Sequence, residues 1–154
     1  TPAEVDVVES ALGVAIDSAW FNAFDLLVEL YSEEHVRGLR PDFGRIKKFA
    51  VRGVIATSRA STEGYDFVSR FFAPGAGIDE DPVTGSSHAC LGPFWSERLG
   101  KTDFVAYQAS ARGGTIRVGV REDRVLLAGQ AVTIMRIELS TRSLESQHGN
   151  EKSR

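Results

Sequence analysis

Between Phe71 and Leu91 the chain runs FFAPGAGIDEDPVTGSSHACL, a stretch where glycines, acids, hydroxyls and a histidine crowd together. ThrGlySerSer, from Thr84 to Ser87, precedes a segment of helical character. The start of such a helix offers unpaired backbone N–H groups and the positive end of the helix dipole. That arrangement suits a carboxylate or another anion, so Thr84, Gly85 and Ser86 point to a small acid as ligand. The plainer reading, in which Thr84 or Ser86 only caps the helix, fits these residues equally well. Asp79 and Glu80 just ahead of the helix are sufficiently explained as dipole partners. Asp81 differs, because Pro82 holds it towards an extended backbone and fixes the direction of its side chain. Beside a bound anion in a partly buried cleft, a carboxyl favours its protonated form and becomes a candidate general acid. The ring of His88 lies within reach of the same cleft, although a hydrogen-bonded core histidine is the commoner case. Cys90 reads as an inert core thiol.

Other chemistries fail on the residues present. Gly75 and Gly77 open a GxG, but Glu80 stands where the third glycine of a dinucleotide fingerprint belongs, and no lysine follows Gly85 as a phosphate loop requires. His35, His88 and His148 have no metal-ligand spacing with Cys90, so no metal site is read. The near balance of 18 basic and 21 acidic residues argues against nucleic acid or an anionic membrane as partner. No apolar run approaches the ~20 residues of a membrane helix. A lone cysteine rules out an internal disulfide framework and makes a cytoplasmic setting the default. Thr1 is not followed by a charged-then-apolar leader, so no secretion signal is expected.

The elements that must position these residues follow from periodicity and punctuation. ThrProAlaGlu opens a helix that Gly13 stops. Val14 to Leu30 reads as two extended segments broken near Asn22 to Asp25, and two short helices are expected between Glu33 and Phe49. Alternation predicts strands over 53–59, 65–72, 103–110 and 115–120. A last, kinked strand is expected over 124–128 and 130–139, interrupted by Gly129. Gly85 to Leu99 reads as the long helix, closed by Gly100. Its apolar residues spread around the wheel, which predicts burial on most sides, and Pro93 should bend it. Arg112 to Gly114 is a hairpin turn, and the many aromatics, Trp20, Phe21, Phe24, Phe71, Phe72, Phe94 and Trp95, belong to a core or an interface. Strands from both ends of the sequence surrounding one helix describe an α+β fold. The polar stretch 140–154 is expected to be a disordered tail.

The stretch RFFAPGAGIDEDPVTGSSHACLGPFWSERLGK, from Arg70 to Lys101, followed by YQASARGGTIRV and VLLAGQAVTIM, resembles the phenazine biosynthesis PhzF-like family, relatives of diaminopimelate epimerase and proline racemase. The likeness covers most of Val14 to Glu138. It implies a mixed, mostly antiparallel β-barrel wrapped around a central α-helix, with residues 1–139 as the C-terminal of two such domains and the active site in the cleft between them. Asp81 and Ser86 match residues that line that site, and Gly85 with Ser86 supplies the amides that hold a substrate carboxylate. The family's principal acid/base is a glutamate of the N-terminal domain, accompanied by a histidine, and neither has a counterpart here. The implied function is cofactor-free, isomerase- or epimerase-type proton transfer on a small carboxylic acid, with Asp81 and Ser86 catalytic and Thr84, Gly85, Ser86 and His88 binding substrate. The cleft would be shared with an N-terminal domain or a second copy in a homodimer. The alternative is a carboxylate-binding or interaction module that keeps the fold without turnover.

Overall fold

The computed structural model describes residues 2–138. Thr1, Leu139 and the stretch 140–154 lie outside the described residues, so the expected cap and tail stand where they were. Eleven main elements follow in order: α1 (Pro2–Leu12), β1 (Ser18–Phe21), β2 (Asp25–Glu29), α2 (Glu33–Gly38), α3 (Phe43–Ile46), β3 (Gly53–Arg59), β4 (Phe67–Phe72), α4 (Gly85–Leu99), β5 (Asp103–Gln108), β6 (Gly114–Arg121) and β7 (Arg124–Ala128). A short 3-10 turn, Pro74–Ala76, follows β4. Local chemistry accounts for the boundaries. Asn22 Oδ1 accepts from the amides of Phe24 and Asp25, at 2.7 Å each, and so turns β1 into β2. Ser32 caps α2 through the His35 amide, and Asp42 caps α3 through the Arg45 amide.

The seven strands form one sheet in the order of the sequence. β2–β3 and β4–β5 are parallel, and the other neighbours are antiparallel. Alternation along the central strands divides the core in two. Leu26 and Val28 of β2, Val54 and Ala56 of β3, and Val68 and Phe72 of β4 pack under α1, α2 and α3. Leu27, Ile55, Phe67 and Phe71 from the same strands face Leu91 and Trp95 of α4. Phe67 stacks on Trp95 at 5.7 Å, and the Trp95 indole N–H donates to Thr57 Oγ1 at 3.1 Å.

The sheet curls around α4, reaching it from both edges. Trp20 of β1 meets Phe94 edge-on at 5.1 Å. At the other edge, a Cβ placed on Gly92 would lie 3.0 to 3.3 Å from Val118, Val120 and Val125, so glycine alone lets β6 and β7 close on the helix here. The outer edges of β1 and β7 do not pair with each other, so the sheet is open and the expected barrel is not closed among the described residues.

Two further expectations need correction. The buried residues of α4, namely Ser87, His88, Leu91, Gly92 and Trp95, form a single stripe, while Gly85, Ser86, Ala89, Pro93 and Glu97 are exposed. The helix is therefore covered on one face, because polar Ser87 and His88 fill core positions that hydrophobicity alone does not mark. The helix continues through Pro93, as expected of a residue that bends and does not end it. The proline stands on the solvent side, where water can take the Ala89 carbonyl that loses its amide partner. Residues 130–138 form no strand. Val132, Ile134 and Ile137 have a strand-like composition, but a strand needs a neighbouring ladder, and these side chains are exposed. Among the described residues no helix is long and apolar enough to cross a membrane.

Candidate functional site

After β4 the chain doubles back across the strand end to reach α4. The Asp81 amide donates to the Phe71 carbonyl at 3.0 Å, and Ala73 bridges Ile78. Glu80 is taken by Arg70 of β4 in a two-pronged pair at 2.7 and 2.8 Å, and Arg70 also donates to the carbonyl of Leu39 beyond α2. Glu80 is thus a loop anchor, a role more specific than partnering a helix dipole.

Asp81 to Thr84 are stapled to the β5–β6 hairpin. Gln108, fully buried at the end of β5, accepts from the Thr84 amide at 2.8 Å. Its own amide group donates to the Asp81 carbonyl at 2.6 Å and to Thr84 Oγ1 at 3.1 Å. Ser110 Oγ donates to the Pro82 carbonyl at 2.7 Å, and Val83 lies directly over Gly114, where any Cβ would clash. The ArgGlyGly turn therefore both reverses the chain and accommodates the loop.

These bonds decide what Thr84 does. It occupies the cap position of α4, yet its side chain makes no capping bond: Oγ1 is turned away from the first turn, donating to Asp81 Oδ2 at 2.6 Å and accepting from Gln108 Nε2 at 3.1 Å. The first-turn N–H groups are left to other acceptors, and Gly85 and Ser86 are exposed beside them. Asp81 is half-buried and held at the helix start by Thr84. Ser86 Oγ accepts from the Arg52 guanidinium at 3.0 Å. Arg52 in turn forks onto Asp25 at 2.9 and 2.5 Å, and this pairing holds the guanidinium above its ordinary pKa. Asp81, Thr84, Gly85 and Ser86 thus come together at one helix start, with Arg52 and Asp25 added to them.

His88 is placed elsewhere. It has no solvent exposure, its ring stacks on Phe67 at 6.1 Å, and Nδ1 lies 2.7 Å from the Thr84 carbonyl. A carbonyl only accepts, so Nδ1 carries the proton. Burial pushes the His88 pKa down, and the Thr84 carbonyl offsets part of that effect. The ring is a neutral core group that braces the first turn from beneath, and in this arrangement it presents no atom to a ligand. Cys90, expected in the core, is half-buried, and Asn22 Nδ2 donates to its sulfur at 3.3 Å. Among the described residues no group of three or more His, Cys, Asp or Glu side chains stands close enough to hold a metal ion.

Arg52, Asp25 and Gln108 escaped the sequence reading. They lie on three different strands or strand approaches, and a buried glutamine in an alternating strand, the one polar side chain at an inward position of β5, was the only available sign.

Comparison with known proteins gives matches in sequence and in fold. The sequence model of the family described as phenazine biosynthesis-like protein, PhzC-PhzF, matches residues 9–137. An uncharacterized isomerase of Halalkalibacterium halodurans is 51% identical over 118 residues, covering 77% of this chain and 44% of the relative. An uncharacterized isomerase of Pseudomonas aeruginosa is 48% identical over 135 residues, covering 86% of this chain and 51% of the relative. The crystal structure of a PhzF family phenazine biosynthesis protein from Enterococcus faecalis superposes with a TM-score of 0.75 at 45% identity, over 80% of this chain and 46% of the other. A putative PhzC/PhzF protein from Clostridium difficile gives 0.70 at 35% identity, over 88% and 52%. The chain spans about half the length of the curated relatives it matches.

Proposed function

Because the chain belongs to the phenazine biosynthesis-like protein family, we propose that it is the C-terminal half of an isomerase that moves a proton within a small carboxylic acid without a cofactor. One observation carries this reading: the first turn of α4 has no side-chain cap, Thr84 Oγ1 being turned to Asp81 and Gln108, which brings free amides and a carboxylate to the same place. The substrate carboxylate lies against the N–H groups of Gly85 and Ser86, where the helix dipole favours negative charge. Ser86 and Thr84 line the same place. Asp81 takes a proton from a carbon next to an activating group, the C–H electron pair passes into that group, and the proton returns at another position of the same substrate. Atoms balance without an outside reductant or oxidant. The opposite wall of the cleft comes from a second domain or a second copy of the chain, and a cytoplasmic setting belongs to the same proposal. His88 supports the helix beneath the site and does not touch the substrate.

The test is solvent exchange. The full chain is incubated in D2O with small carboxylic acids that carry an activated C–H, and deuterium incorporation at carbon is followed by proton NMR. The expected result is catalysed incorporation that Asp81→Asn lowers by about a hundred-fold or more. Exchange that is unaffected by Asp81→Asn would reject Asp81 as the proton carrier. A second reading, a module that binds carboxylates without turnover, is favoured by one fact: of the carboxylates placed at the helix start only Asp81 lacks an arginine partner, Glu80 being taken by Arg70 and Asp25 by Arg52. Carboxylate binding without any exchange, equal in wild type and Asp81→Asn, selects that reading.

A further inference from the structure

We propose that Arg52, clamped by Asp25, positions the Ser86 hydroxyl as a hydrogen-bond donor to a carboxylate at the first turn of α4. This rests on the reading of that turn as the ligand site. Arg52 comes from the approach to β3, far from the loop that carries Asp81 and Ser86, and three observations give it this role.

Asp25 is 1% exposed, and a buried carboxylate demands a partner that satisfies both oxygens. Arg52 does so in a fork, Nε to Oδ1 and Nη2 to Oδ2, which fixes the plane of the guanidinium. The same Nη2 reaches Ser86 Oγ at 3.0 Å. A guanidinium has donors only, so Ser86 is the acceptor, and its own hydrogen must point away from Arg52. Left alone, a serine in a first helical turn rotates freely or bonds its own backbone. Here one direction is removed. Finally, a cation beside the positive end of a helix is the unfavourable sign for the free protein. An anion bound at the turn reverses that sign, and Arg52, 41% exposed, can face it.

The experiment titrates the full chain with benzoate and reads dissociation constants from the amide shifts of Gly85 and Ser86, in wild type, Arg52→Gln, Arg52→Lys, Ser86→Ala and the Arg52→Gln/Ser86→Ala double variant. Arg52→Gln and Ser86→Ala are each expected to weaken benzoate about ten-fold, the scale of one charge-assisted hydrogen bond. The double variant is expected to lose less than the two single losses combined, because the arginine acts mainly through the serine. Arg52→Lys keeps a cation on Asp25 and serves if the glutamine variant does not fold. One ammonium cannot reproduce the fork and the Ser86 bond together, so benzoate weakens while the melting temperature stays near wild type. Losses that add in full, or an Arg52→Gln chain that binds as wild type does, overturn the proposal. If Ser86→Ala alone weakens binding, the site stands and the role of Arg52 falls. If wild type shows no shift at Gly85 and Ser86, the site reading fails and takes this inference with it.

Discussion

At the scale of single residues, the site loop is held by buried charges that sit away from it. Arg70 grips Glu80 of the loop and leans on the carbonyls that close α2, and α2 itself is tied down through Glu33. The Glu33 carboxylate accepts from the amides and hydroxyls of Ser61 and Thr62 at 2.7 to 3.0 Å and from Arg37 at 2.7 Å. Burial by itself would push its pKa up, but the bonds from Thr62, Arg37 and Ser61 outweigh that and bring it from 4.5 to about 2. A carboxyl whose folded pKa is depressed stabilises the protein fully above its unfolded value and loses that contribution as pH falls through the folded value. Glu33 should therefore contribute on the order of 2 kcal/mol at neutral pH, fading from 4.5 down to about 2. Urea unfolding should find Glu33→Gln less stable than wild type by about that amount at neutral pH. The gap should narrow at pH 3. A constant gap across this range would mean that Glu33 acts by packing alone.

At the scale of elements, α4 is the piece on which the site depends, and its seat on the sheet is set by Gly92. Val118, Val120 and Val125 close over that position so tightly that a Cβ would meet them at 3.0 to 3.3 Å and force them to give by a few tenths of an ångström. These are β-branched side chains with little rotamer freedom, so they cannot move aside cheaply. Gly92→Val is expected to lower stability by about 2 kcal/mol or more, although valine has the better helix propensity. Thermal unfolding measures the loss, and an unchanged melting temperature would show that β6 and β7 yield to the helix. The local signals for the elements were strong where a glycine marked the end of a helix, as at Gly13 and Gly100. They misled at 130–138, where β-branched composition reads as a strand but pairing needs an edge that the sequence does not identify.

At the scale of the whole molecule, the sheet leaves two outer edges, and large apolar side chains are exposed near them: Phe21 and Phe24 by β1, Leu126 on β7, then Val132, Ile134 and Ile137. Apolar surface of this extent favours association. If a second copy can stand in for the missing wall of the cleft, sedimentation equilibrium of the purified chain should give a mass above 16.8 kDa. Replacing Val132 and Ile134 by lysine should return it towards one chain. A monomer at all concentrations would leave only a covalently linked second domain for that wall. Capping, periodicity and a contiguous motif are local properties, so the α+β class, nearly every element, the helix start at Thr84 to Ser86 and the family were legible along the chain. That Arg52 reaches Ser86 across 34 residues, that Gln108 holds Thr84 across 24, and that His88 turns into the core emerge only in the folded chain. Those contacts depend on which strand lies beside which and in what register, a property of the assembled sheet that no local run of residues encodes.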